Sequence, residues 1–444
     1  MYGLHDRPPP GQTALAALAH LLAIVAGIAT APLLIALGLG LSATTTAYVI
    51  SSALIVSGVA TLIQINRIGL IGSGLLSIQG TSFSFIGAIT LAGSVLAERG
   101  LNDAQLLGVV LGSSAVGALC TIVAGYYIQG LSRVITQNVT GIAIFLLGLT
   151  LVGAAWNNLQ FSVAQVGASG GDVQQVWIQA VLVIAVIVAC SWQRNSWIRL
   201  ASISIGLAVG MAYAWFMGGL EFATSSAGLG QLQFVRLLPF ELGFDFGVCL
   251  LLLPIYFVTM TESLGDLTAT SMLSGCEISG PEYWERVRGG VMAGGVSSAL
   301  ATLVGSFPST TFSQNNGVIQ LTGVASRYVG LFIAAMLILL GAWPAFTALF
   351  QAIPGGVLHG ATGLLFAMIA LVGWRLVNMQ PDGARARIML VVCTLTAFAL
   401  SYLPALFSTV NVTVPEYLAM LLNFPVATGV LLAMLWETLR LVRD

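Results

Sequence analysis

Apolar stretches of about twenty residues, the length a helix needs to cross a bilayer, follow one another almost without interruption along this chain. They run from Ala14–Leu37 to a last segment ending near residue 439. With 57% hydrophobic and 7% charged residues, the 444-residue chain cannot solvate the surface of a water-soluble domain of its size. Most of it must lie in lipid, where backbone polar groups have to be satisfied internally. The expected class is therefore an all-α polytopic membrane protein with the lipid bilayer as its surroundings.

Composition excludes other classes quickly. All 15 cations are arginine, the net charge is −1, and no basic run points to nucleic acid. The five cysteines (Cys120, Cys190, Cys249, Cys276, Cys393) show neither CxxC nor His-rich spacing, so no disulfide framework, metal site or cofactor is expected. The first apolar segment carries His20 and Pro32 and is too long for a signal-peptide core, so it reads as the first span.

Apolar runs set against charged or turn-rich breaks give fourteen segments. They lie near 14–37, 44–65, 70–96, 104–125, 131–154, 176–190, 198–217, 245–272, 288–306, 309–324, 328–350, 354–377, 386–406 and 415–439. With a cytoplasmic N-terminus this count puts thirteen of the fifteen arginines on the inner side, leaving Arg99 and Arg236 outside. Both termini are then cytoplasmic.

Short echoes run through the chain in the same order in its two halves. Thr81-Ser82-Phe83-Ser84 matches Thr310-Thr311-Phe312-Ser313, Ile135–Val139 matches Ile353–Val357, and Leu151-Val152-Gly153 matches Leu371-Val372-Gly373. Seven spans per repeat is an odd number, so the second half must enter the membrane inverted, as a 7+7 inverted repeat. Segments three and ten are the least helix-like, with glycine, serine, threonine and Pro308 crowded into their first halves. Extended backbone is expected there, able to pair between repeats, followed by half-helices beginning near Phe85 and Asn315. Such backbone at membrane depth must line a cavity or pair with protein. The half-helix N-termini would present free N–H groups to an electron-rich ligand.

The decapeptide Gln314-Asn315-Asn316-Gly317-Val318-Ile319-Gln320-Leu321-Thr322-Gly323 opens with three carboxamides, a costly cluster in lipid unless it lines a polar site. Gln314 offers donors and an acceptor on one flat group, the complement of the N–H/C=O edge of a purine or pyrimidine dione. Asn316, and with less force Asn315, reads as a cap for the half-helix. Glu262 and Asp266 stand four residues apart on one face of segment eight. Two carboxylates inside a span mark a ligand site or proton relay and would titrate as a coupled unit, unless they serve a structural network. His20 inside segment one is either a satisfied core histidine or a member of the site; His359 and His5 are weaker candidates. Glu277, Glu282 and Glu285 beside Arg286 and Arg288 read as a solvated cytoplasmic loop.

The decapeptide resembles the signature of the nucleobase–ascorbate transporters. The Thr261–Asp266 stretch around Glu262 is similar to that family's eighth-helix motif, and His20 in Leu18-Ala19-His20-Leu21-Leu22 to its first-helix histidine. The likeness implies a core domain (14–125 and 245–350) and a gate domain (131–217 and 354–440), with a short strand in each of segments three and ten. It implies a bacterial inner-membrane proton symporter for a nucleobase, often dimeric, moving its core like an elevator against the gate. Glu262 and Gln314 would grip the base through side chains. Phe83 would stack on the ring, the backbones near Phe83 and Ser313 would add contacts, Ser82 would tune selectivity, and Asn315 would shape the site. Asp266 and His20 would support proton coupling. Gln rather than Glu at 314 resembles the xanthine and uric acid carriers rather than those for uracil. One departure is Gly294, where many relatives carry an aspartate in the ninth helix.

The expected function is thus proton-coupled import of a purine, xanthine or uric acid, with a uracil or pyrimidine permease as the alternative. An anion carrier on a similar inverted-repeat fold would favour a cationic or purely backbone pocket over Glu262. A membrane-embedded acid–base enzyme using Glu262, Asp266 and His20 lacks any supporting HExxH or GxSxG motif.

Overall fold

The computed structural model describes residues 2–218, 232–379, 383–409 and 414–443, so 380–382 and 410–413 of the expected second gate half fall outside the described residues. In chain order the first half comprises α1 (Pro10–Gly38), α2 (Ala43–Ile65), β1 (Gln79–Thr81), α3 (Ile86–Glu98), α4 (Asp103–Tyr126), α5 (Ile128–Leu131), α6 (Gln137–Ala168), α7 (Val173–Ser191), α8 (Ser196–Leu200) and α9 (Ser202–Phe216). The second comprises α10 (Phe246–Leu273), α11 (Gly280–Leu303), β2 (Ser309–Thr311), α12 (Gln314–Thr322), α13 (Arg327–Ala342), α14 (Pro344–Gln351), α15 (Gly355–Asn378), α16 (Gly383–Ser401), α17 (Leu403–Thr409), α18 (Glu416–Leu422) and α19 (Pro425–Arg443).

The architecture is mostly helical. Among the described residues nine helices are long and apolar enough to cross a membrane, or ten when α13 and α14, bent by 75° at Trp343, count as one span. Polar residues at the breaks start several helices by capping free N–H groups. Ser42 accepts from Thr45, Thr136 from Val139 and Asp245 from Val248, while Asn102 and Gln105 cap each other's backbone reciprocally.

Glycines set how closely the helices approach. A Cβ on Gly148 of α6 would come within 2.3 Å of the Ala370 backbone of α15, and one on Gly373 of α15 within 2.3 Å of Phe145. Gly356 and Gly360 give α15 the same contact with Val176 and Ala180 of α7. Small residues at such crossings let backbones pack closely where lipid removes the hydrophobic drive between helices.

Three sequence expectations need correction. Segment five does not stop near 154: α6 runs to Ala168, because Asn157, Asn158 and Gln160 fall on its exposed face while Ala155 and Leu159, four apart, stay buried. Segment seven is split at Ala201 into α8 and α9. The acidic stretch expected as a loop is helical from Gly280, where Glu282 pairs with Arg286 one turn on (3.1 Å) and Glu285 with Arg67.

Candidate functional site

Segments three and ten break where their sequences change character. β1 and β2 pair antiparallel, with Gln79 opposite Thr311, Gly80 opposite Thr310 and Thr81 opposite Ser309. Two bonds beyond the strands lengthen the ladder, Ser82 N–H to the Pro308 carbonyl and Phe312 N–H to the Ile78 carbonyl, both 3.0 Å. The backbone that breaks each helix is thereby satisfied inside protein. A tight turn at Phe83–Phe85 leads into α3, and α12 begins at Gln314, so each strand is followed closely by its own half-helix.

Glycine is required at the centre of this arrangement. A Cβ on Gly80 would lie 2.7 Å from both Ile28 and Phe312, and one on Gly27 of α1 would lie 3.0 Å from Phe312. The close approach brings Phe312 beside Phe83, ring centroids 6.4 Å apart, while Phe83 meets Phe366 of α15 edge-on at 6.0 Å.

α10 is tied to both crossover segments by its two carboxylates. Ser84 donates its hydroxyl to Glu262 Oε1 at 2.9 Å, and Thr311 donates to Asp266 Oδ2 at 2.7 Å. One turn of helix thus reaches both crossover segments, one acid to each. Thr270, a turn further on, donates to the Asn316 side chain at 2.7 Å. That overturns the cap reading of Asn316. It lies inside the first turn of α12, whose N-cap is Ser313, and its side chain reaches sideways to α10. Asn315 is no cap either: it is buried and donates its amide to the Leu76 carbonyl before β1. His20 of α1 lies against Asn315, although no hydrogen bond of good geometry joins them.

A small cavity of about 20 Å³, little more than the room one water needs, lies beside the strand pair. Its lining includes Gly27 and Thr30 from α1, Phe83, Gln314 from α12, and Thr362 and Leu365 from α15. Of the residues chosen from sequence, Phe83 and Gln314 reach this lining. Glu262 does not line it, but holds Ser84, the residue after Phe83. Asp266, His20 and Asn315 brace the elements behind it. Ser82 is buried, its hydroxyl accepting from Ser84 N–H at 3.2 Å, and Ser313 is exposed.

Thr30, Ser84, Thr311 and Thr362 were not singled out by sequence. Ser84 and Thr311 sat within the noted tetrapeptides, whereas Thr30 and Thr362 are single hydroxyls in apolar helices with no local signal. At Gly294, where the resemblance leads one to expect an acid, a Cβ would meet nothing within 4 Å.

Comparison with known proteins follows the same line. A family model named Xan_ur_permease and described as a Permease family matches residues 11–406. The chain is 37% identical over 429 residues to the xanthine permease XanP of Escherichia coli strain K12, covering 97% of this chain and 92% of that one. It is 38% identical over 441 residues to XanQ of the same organism, another xanthine permease, covering 98% and 92%. A uric acid-xanthine permease of Emericella nidulans is 29% identical over 439 residues, covering 92% and 76%. In fold, the chain is similar to the transmembrane domain of the cyanobacterial bicarbonate transporter BicA (TM-score 0.59, 16% identity, covering 88% of this chain and 96% of that one). It is also similar to SLC26A9 (TM-score 0.60, 13% identity, covering 97% and 65%).

Proposed function

The chain belongs to this permease family, that of the nucleobase–ascorbate transporters, and from that premise we propose that it is a proton-coupled symporter importing a purine, xanthine or uric acid. One observation carries the choice of substrate chemistry. Gln314 and Phe83 line one cavity, a flat hydrogen-bonding amide together with a ring face, with Glu262 bonded next to Phe83. A carboxamide matches the N–H/C=O edge of an oxidised purine, and an aromatic face takes its π-surface. No cationic side chain is among the residues lining the cavity, which disfavours an anion as cargo.

In this reading Glu262 and Gln314 grip the base and Phe83 stacks on it. The backbones at Phe83 and Ser313 add contacts, Ser82 tunes selectivity, and Asn315 holds the entry to α12. The proton is the coupling ion, held by Asp266 with His20 in support; since Gly294 supplies no acid, coupling rests on α10. The fourteen segments form a 7+7 inverted repeat. Residues 14–125 and 245–350 make a core that moves like an elevator against the gate of 131–217 and 354–440. The protein sits in the bacterial inner membrane as a homodimer with both termini cytoplasmic.

Uptake of labelled xanthine and urate into proteoliposomes tests the reading. An inward proton gradient is expected to drive accumulation of chemically unchanged base, competed by xanthine or urate more strongly than by uracil. Glu262→Gln and Gln314→Ala should each lower uptake about 100-fold or more, since each leaves ligand groups unpaired in a closed site. Undiminished, equally specific uptake by Gln314→Ala would refute the proposed grip.

A further inference from the structure

The cavity is lined by further polar groups that neither the sequence nor the family comparison assigned. Thr362 of α15 lines it together with Gln314 and Phe83. Its hydroxyl donates back to the Leu358 carbonyl of its own helix at 2.8 Å, the bond a threonine commonly makes inside a helix. With that proton committed, the oxygen has only lone pairs left to offer. Thr30 of α1 lines the same cavity, is buried, and enters no hydrogen bond among the described residues, so its hydroxyl is free to donate or accept.

We propose that Thr362 is a specificity-determining residue that accepts a hydrogen bond from a ring N–H on the edge of the base turned away from Gln314, with Thr30 as a second, adaptable contact beside it. The inference rests on the purine-carrier reading and deepens it. Gln314 and α15 belong to different domains in that reading, so a base held between them is bonded by both sides only while the cavity is closed. An acceptor whose proton is held by its own helix favours a ring N–H over a lone pair. A ring nitrogen carrying hydrogen satisfies it, whereas an unprotonated or methylated nitrogen meets it with a lone pair or a methyl group.

The test measures xanthine uptake kinetics in proteoliposomes for the wild type, Thr362→Val and Thr362→Ser, with inhibition by xanthines methylated singly at each ring nitrogen. Valine keeps the volume and removes the acceptor. It should raise KM about 5- to 50-fold with little change in maximal rate, and serine should restore the wild-type value. One methylated xanthine, rejected by the wild type, should compete almost as well as xanthine itself in Thr362→Val. An unchanged KM and inhibitor ranking in the valine variant, or a serine variant as impaired as valine, overturns the proposal while leaving the carrier reading standing. Failure of the wild type to take up any purine overturns both. Should the valine variant not assemble, Thr362→Cys, whose sulfur is a weak acceptor, carries the same comparison.

Discussion

At the scale of single residues, the site depends on absent side chains as much as on present ones. Gly80 lets β1 lie against Phe312 and Ile28, and any Cβ there must push one of them aside. Phe312 packs against Phe83, so any displacement of its ring passes directly into the cavity wall. Gly80→Ala is expected to destabilise the purified protein by about 1–3 kcal/mol, as overpacking a closed core does, and to weaken base binding at least as much. A thermal melt with and without ligand reads both effects, and an unchanged melt would show that Phe312 relaxes freely. The carboxamides teach a related lesson. Three in a row marked the right helix, yet their roles diverged: Gln314 faces the cavity, Asn315 ties to Leu76, and Asn316 ties to Thr270. A sequence says which groups are costly to bury, but the direction of each depends on the turn of α12 and on what stands opposite.

At the scale of elements, the broken helices are held from both ends. Inside, the two strands supply each other's backbone partners, and α10 fastens both crossover segments through Glu262 and Asp266. At its far end α12 stops at Gly323, whose left-handed backbone (φ 65°) suits glycine. There the N-terminal segment clasps it. Tyr2 N–H donates to the Gly323 carbonyl (2.8 Å), and the Tyr2 and Leu4 carbonyls accept from Ala325 (2.9 Å) and Arg327 (3.1 Å). Ser326 bonds the Asp6 carbonyl, and Arg7 covers the Tyr328 ring at 4.6 Å from its centre. Removal of residues 2–7 is expected to cost about 2–4 kcal/mol, given roughly 1 kcal/mol per hydrogen bond. It should also expose the 323–327 linker to protease sooner than in the intact chain. Identical digestion of the two proteins would show that the clasp is idle. Most of this clasp consists of backbone bonds, which composition does not register, although Tyr2 and Leu4 also pack against the core.

At the scale of the whole molecule, the ends of distant elements meet in one ion cluster. Arg99 after α3 reaches Asp245 at the start of α10 (2.9 Å) and Glu416 at the start of α18 (2.8 Å), with Phe246 edge-on to Tyr417 beside them. Burial alone would raise the Asp245 carboxyl, but hydrogen bonds from Arg99 and from the Val248 and Gly247 N–H groups hold it below the usual carboxylate range. A group depressed in the folded state adds stability that is complete above its unfolded value, about 3.9, and lost as pH falls through the lower folded value. Arg99→Gln should therefore lower the melting temperature near neutral pH by an amount worth about 1 kcal/mol, since the cluster is partly exposed. The difference from wild type should shrink below about pH 4; one that persists there would mean that packing rather than charge carries the contact.

The sequence by itself determined the class of this protein and the extended breaks in segments three and ten, and it marked buried acids and amides as candidates for a site. Each follows from the cost of placing polar groups in lipid, a cost that attaches to residue types and to runs of them. Only the tertiary structure decided that α10 fastens both crossovers, that Asn316 bonds α10 rather than capping its helix, and that Thr30 and Thr362 join Gln314 at the cavity. Those facts concern which faces of distant helices meet, and glycine-set close packing and strand register fix that only once the whole chain is assembled.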